Sequence, residues 1–188
     1  MSMKTLRLAL AGVTHDHVSI LDALSPEDFE IVAAQDGNAA ARAEAGARFR
    51  LPPERLFDNV ETMLDTVKPD AVAAFGSIRA HRGVVLAAAA RGIHAMVEKP
   101  LAIDAVEATE MAEVVRRAGI HLMVNYETTW YPSVAFAFDF VKSGQIGAVR
   151  KIIVRDGHGG PVESGCQPRF LDWLLDPAES GGGALVDF

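Results

Sequence analysis

Short apolar runs alternate with segments of helical period along most of the chain. The runs Leu6–Ala11, Phe29–Ala34, Ala71–Phe75, His94–Val97 and Leu122–Val124 are mostly continuous in apolar residues, the pattern of strands buried on both faces of a parallel sheet. Between them, Val60, Met63, Leu64 and Val67 recur at i, i+3, i+4 and i+7, which marks one face of a helix, and Asp58 with Glu61 offers a capping-box-like start. The same grammar returns at Asp104 with Glu107, where Ala105, Ala108, Ala112 and Val115 continue the apolar face and Gly119 supplies a stop. Ala39–Phe49 reads as an alanine-rich helix, and Ala87–Ala90 closes another before Arg91-Gly92. Such alternation predicts an α/β fold, a doubly wound parallel sheet with right-handed crossovers.

In open sheets of this kind ligands bind outside the carboxyl ends of the strands. The rule selects Gly12 to His17, Gln35-Asp36, Gly76-Ser77, Glu98-Lys99-Pro100 and Asn125-Tyr126-Glu127. In GVTHDHV, Gly12 permits the tight turn of a dinucleotide site, with Val13, Thr14 and His15 following it. Thr14 and His17 stand where a G-x-G-x-x-G fingerprint has its other glycines. Thr14 offers a hydroxyl and the turn offers backbone N–H groups at a helix start, which suit a pyrophosphate. The added bulk predicts weaker or shifted binding. Asp36, at the end of the second strand, can accept both hydrogen bonds of a ribose diol or can cap the helix that follows. Its charge would repel a ribose phosphate, and no Arg or Lys intervenes before Arg42, so NAD is expected over NADP. Lys99, held extended by Pro100, can donate to a substrate hydroxyl and stabilise developing alkoxide character, with Glu98 holding it; the alternative is a surface ion pair beside a turn.

Composition narrows the partners. At 188 residues with 49% apolar content and a formal charge of −7, the chain predicts a packed core and a small-molecule ligand, not nucleic acid, which needs Lys/Arg clusters. The single Cys166 excludes an internal disulfide framework and a cysteine-built zinc site. The run after Lys4 is short and interrupted by Arg7, so a first strand is expected instead of a signal peptide, and no stretch reaches membrane-span length. A cytoplasmic protein without a membrane partner is the simplest reading. His15 and His17, two apart near a helix start, are expected to diverge, and with no third ligand in view no metal site is expected. Trp130 and Tyr131 can stack on a sugar ring or pack near a helix start. Tyr126 and Glu127 are weaker substrate contacts, and His158 in GHGGP either reaches the substrate or serves its turn.

AGVTHDH, AAQDGNAAARAEAGARF, the long stretch from FGSIRAHRG through VEKPLAIDA to VNYETTWYPS, FVKSGQIGAVRKI and SGGGALVDF together resemble the Gfo/Idh/MocA oxidoreductases. The resemblance implies an NAD(P)-binding Rossmann domain over residues 1–125 and the beginning of an α+β substrate and oligomerisation domain over 126–188, with Arg150–Arg155 as its first long strand. It also implies NAD(P)-dependent hydride transfer to or from a sugar, polyol or related hydroxyl compound, and a homo-oligomer, dimer or tetramer, at full length. By the same resemblance Lys99 matches a catalytic lysine and Asp187 the Asp of a GGG-x-x-x-D-x-G-x-H pattern. His81 would lie near the cofactor, and Trp173 would belong to a substrate-side segment. The sequence departs from the family at Trp130 and Ile78. It ends at Phe188 before the pattern's histidine, so a fragment of a longer protein is expected. Two other readings stay open: a dinucleotide-binding homologue without catalysis, and an enzyme that uses NAD transiently in glycoside cleavage.

Overall fold

The computed structural model describes residues 4–23, 25, 27–155, 157 and 159–182. Six strands form one parallel sheet: β1 Leu6–Val13, β2 Phe29–Gln35, β3 Leu56–Phe57, β4 Ala71–Phe75, β5 His94–Glu98 and β6 Leu122–Asn125, in the order β3-β2-β1-β4-β5-β6. This is the doubly wound order, and its direction reverses between β1 and β4. The two-residue β3 escaped the sequence reading because a run so short carries no period.

Alternate residues of one strand feed two cores. Ala9 and Ala11 of β1 face Met63, Leu64 and Val67 of α2 (Val60–Val67), Val84, Val85 and Ala88 of α3 (Ile78–Ala89) and Met111 of α4 (Ala105–Ala118). Leu8 and Leu10 face the opposite way, onto Ala41 and Ala45 of α1 (Ala39–Phe49) and Val18 and Leu21 of a 3-10 segment, Asp16–Ala23. Burial on both faces is why these strands read as continuous apolar runs. Each side chain of Leu size that is fully enclosed contributes roughly 1.5–3 kcal/mol.

The helix starts follow the polar residues between the runs, with one shift of register. Asp104 caps α4 by accepting from the N–H groups of Val106 and Glu107 at 2.8 Å, and Gly119 ends it at φ +67°. Asn59, not Asp58, caps α2, accepting from the N–H of Thr62 at 2.8 Å, because Asp58 lies one residue outside the first turn.

Beyond β6 the chain changes character. Helix α5 (Pro132–Lys142) and residues 143–155 are exposed throughout. The strand expected at Arg150–Arg155 is not present; no described segment pairs with it to supply a ladder. By contrast α6 (Pro168–Leu174) and α7 (Pro177–Ser180) fold back beside the sheet, against the start of α3. Phe170, Trp173 and Leu174 form a small core with Ile78 of α3. Among the described residues no helix is long and apolar enough to cross a membrane.

Candidate functional site

The reversal between β1 and β4 opens a cleft of about 300 Å³ at the carboxyl edge, lined by Gly12, Thr14, Asp36, Gly76 and Ser77 from the strand ends and by Trp173 and Glu179 from the C-terminal segment. A groove of about 510 Å³ at the opposite edge, around Lys68, Asp70 and Arg91, is larger. It lies at the amino ends of the strands, where doubly wound sheets do not bind their ligands. Gly12 has φ +75°, and a Cβ there would fall 2.6 Å from both Cα and N of Gly76. The two strand ends therefore approach as closely as backbone allows, which leaves the cleft floor bare of side chains.

Asp36 sits at the cleft and joins its two walls. One carboxylate oxygen accepts the N–H of Val13 at 3.0 Å and the other that of Asn38 at 2.8 Å. The cap of α1 is Asn38, whose side chain accepts from Ala40 and Ala41, so the capping alternative for Asp36 is removed. Two bonds leave about half of the carboxylate's acceptor positions open to a diol. Arg42 comes back over this turn, donating to the carbonyls of Asp36 at 2.6 Å and Gly37 at 3.2 Å.

The turn itself departs from the expected phosphate cradle. The N–H groups of Thr14 and His15 both donate to the carbonyl of Phe75, at 3.0 and 2.8 Å, so they face the sheet instead of the cleft. The C-terminal segment takes further polar groups on the rim. The Ser77 hydroxyl donates to Glu179 at 2.7 Å, and Gln167 donates through Nε2 to the carbonyl of Thr14 at 3.0 Å and through its N–H to Asp16. Gln167 and Glu179 carry no local signal in the sequence; only the return of α6 and α7 brings them here. Trp173, expected on the substrate side, lies against this cleft with its ring near Phe170.

Beside the cleft lies a second group of residues, at the ends of β1, β5 and β6. The Nδ1 of His15 accepts the N–H of His17 at 3.0 Å, and the two rings stand 4.5 Å apart. His17 Nδ1 meets Glu98 Oε2 at 3.0 Å, and Asn125 donates to Glu98 Oε1 at 2.7 Å. The expected divergence of the two histidines does not occur, because His15 precedes the 3-10 segment and turns its ring back over it. Glu98, from a distant strand, is the third residue that sequence spacing could not supply. Glu98 is fully buried, and its carboxylate engages His17 and Asn125.

Burial pushes His15 down to about 3, so it is neutral near pH 7. The Glu98 hydrogen bond raises His17 and outweighs its partial burial. Burial pushes Glu98 up, but the His17 and Asn125 hydrogen bonds and the nearby imidazoles hold it below the usual range. His81 is fully buried, with Nδ1 3.2 Å from the carbonyls of Pro100 and Leu101. It tethers the turn that carries Lys99 and, like His15, is closed to a ligand in the cleft. Burial pushes it down to about 4.

The weaker substrate candidates do not converge. Tyr126 and Trp130 are exposed, and the Tyr131 hydroxyl donates to Glu127 at 3.2 Å. Asp187 and His158 lie outside the described residues.

Comparison with known proteins follows the same outline. A profile described as an oxidoreductase family with an NAD-binding Rossmann fold, GFO_IDH_MocA, matches residues 6–126. The 1,5-anhydro-D-fructose reductase of Ensifer adhaerens is 32% identical over 129 residues, 69% of this chain and 37% of that one. An Agrobacterium radiobacter oxidoreductase, solved in complex with NAD+, L-tartaric acid and magnesium, superposes with a TM-score of 0.71 at 25% identity, over 77% of this chain and 42% of that chain. An inositol dehydrogenase homologue from Azotobacter vinelandii, solved with NAD+, shares the fold over 95% of this chain and 49% of that one, with a TM-score of 0.79 at 22% identity. The chain spans about a third to about half of the length of the curated relatives it matches.

Proposed function

This chain belongs to the Gfo/Idh/MocA oxidoreductase family, and on that premise we propose that it binds NAD, in preference to NADP, and serves hydride transfer to or from a sugar or polyol hydroxyl. The observation that carries the reading is Asp36, buried at the end of β2 on the cleft beside the bare Gly12–Gly76 floor. Its remaining acceptor positions suit a ribose diol, and its charge opposes a phosphate on that ribose. Arg42 is committed to the carbonyls of Asp36 and Gly37, which supports the same preference. Bound there, the nicotinamide would supply the hydride acceptor or donor.

The residues of the chain divide the remaining work. Gly12, Gly76 and Ser77 would seat the dinucleotide. With the N–H groups of Thr14 and His15 engaged by Phe75, the Thr14 hydroxyl is left as that turn's polar contribution. Lys99, at the end of β5 on the turn tethered by His81, would donate to the substrate hydroxyl and stabilise alkoxide character. The sugar or polyol class is supported by the name of the Ensifer relative. Residues 1–125 would form the cofactor domain and 126–188 the opening of a substrate domain that assembles as a dimer or tetramer.

Calorimetry with NAD and NADP tests the cofactor. NAD is expected to bind at least about tenfold more tightly, a difference of about 1.4 kcal/mol, and Asp36→Ala is expected to erase that margin. Equal affinities in the native chain would sink the assignment. Lys99→Ala in the protein at full length should lower turnover far more than cofactor affinity. A second reading, dinucleotide binding without catalysis, needs only Asp36 and the cleft; tight NAD binding with no turnover across sugars and polyols would select it.

A further inference from the structure

We propose that His15, His17 and Glu98 form a binding site for a divalent first-row transition-metal ion of the Zn²⁺ class. One ligand-type atom from each of the three lies within 4.8 Å of the others. His17 Nδ1 and Glu98 Oε2 are 3.0 Å apart. Ligand bonds of about 2.0–2.2 Å in a tetrahedral site place neighbouring donors roughly 3.3–3.6 Å apart, so that pair needs to open by only a few tenths of an ångström, exchanging its hydrogen bond for the ion. The third donor needs an inward movement of about 1 Å.

Two features point to a ligand and not to a self-contained hydrogen-bond cluster. His15 is 1% exposed, yet its Nε2 has no hydrogen-bond partner among the described residues. Leaving such an atom unpaired costs roughly 1–3 kcal/mol, which a ligand at that nitrogen would relieve. Glu98 is a buried carboxylate whose second oxygen is oriented by Asn125 at 2.7 Å. Ligating carboxylates are held by outer partners in the same way. The rings of Phe170 and Trp173 stand 4.6 and 5.7 Å from the His15 ring and shield that side from water, which strengthens ligation.

The donor set chooses the ion. Two imidazoles and one carboxylate suit Zn²⁺, Co²⁺ or Fe²⁺, whereas Mg²⁺ and Ca²⁺ take oxygen donors. Three protein ligands leave one coordination position, and the partly exposed His17 puts it on the solvent side. The ion would cross-link the turn after β1 to the end of β5, next to Lys99. Metal binding here is separable from dinucleotide binding, since none of the three ligands needs the cofactor.

The test uses the full chain after chelator treatment, titrated with Zn²⁺ and separately with Co²⁺. One ion per chain is expected, with a four-coordinate Co²⁺ visible spectrum. His17→Ala and Glu98→Gln should each weaken Zn²⁺ by about a hundredfold or more. His17 is on the half-exposed side, and Gln keeps the volume of Glu98, so neither change depends on rebuilding the core. His94→Ala and His121→Ala, at the other edge where a second imidazole pair stands 5.0 Å apart, should leave the affinity unchanged. Absence of stoichiometric Zn²⁺ binding, or binding that survives His17→Ala and Glu98→Gln while falling with His94→Ala, overturns the proposal.

Discussion

Replacing Gly12 by Ala tests the geometry of the cleft floor most directly. Gly12 holds φ +75°, and an L side chain in that region costs about 1–2 kcal/mol. Its Cβ would also fall 2.6 Å from the Cα and N of Gly76 and 3.2 Å from the carbonyl carbon of Phe75. Those atoms are backbone at the end of β4, so relief requires parting the β1–β4 pair, at the roughly 1–3 kcal/mol typical of overpacking. The sum is about 2–5 kcal/mol, a large share of the roughly 5–15 kcal/mol that holds a typical domain. With a urea slope of about 2 kcal/mol per M, the unfolding midpoint should fall by about 1 M or more. Gly76→Ala is the matched control. There the added Cβ meets Gly12 Cα at 3.5 Å and Ala80 Cβ at 3.8 Å, ordinary contact, and the change is expected to stay within about 1 kcal/mol. Urea titrations of both variants, followed by far-ultraviolet circular dichroism, separate the cases. Equal midpoints for the two would refute the argument that close approach, and not glycine content, defines the site.

The pH dependence of stability should carry the mark of His81. Below its ordinary value of 6.5 the unfolded chain binds a proton that the buried ring refuses until about pH 4, so stability falls as the pH drops through that window, by about 3 kcal/mol from this residue. His81→Gln should flatten that part of the profile, and a profile of undiminished slope would show that His81 is not the source. In the core, Met111→Ala, at a side chain with no exposure, should cost about 2–5 kcal/mol by chemical denaturation; a loss under about 1 kcal/mol would mean that α4 packs more loosely than described. Gln167→Ala, which removes the bond to the Thr14 carbonyl, should speed hydrogen exchange across residues 166–180 while leaving β1 and β4 protected. Unchanged exchange there would mean that the apolar contacts of Phe170, Trp173 and Leu174 and the remaining polar bonds, Ser77 to Glu179 among them, hold α6 and α7 without it.

The nucleotide-binding architecture was legible in the sequence because its information is local. β1, β2, β4, β5 and β6 announce themselves as apolar runs, and Asp104 and Gly119 mark α4 through the backbone groups that a helix end must satisfy. The carboxyl-edge rule then named Asp36 and Glu98 before any geometry was available. What these residues do was decided in three dimensions. Asp36 is relieved of the capping role by Asn38, two residues closer to α1. Glu98 meets His17 across 81 positions of chain, and Glu179 meets Ser77 across 102. No period or spacing encodes such pairs, because they follow from parallel strands that end together at one edge and from a C-terminal segment that buries Trp173 and Phe170 against α3. The sequence by itself determined which residues reach that edge, since burial and helix termini act within a few residues; the tertiary structure alone decided which of them face one another there.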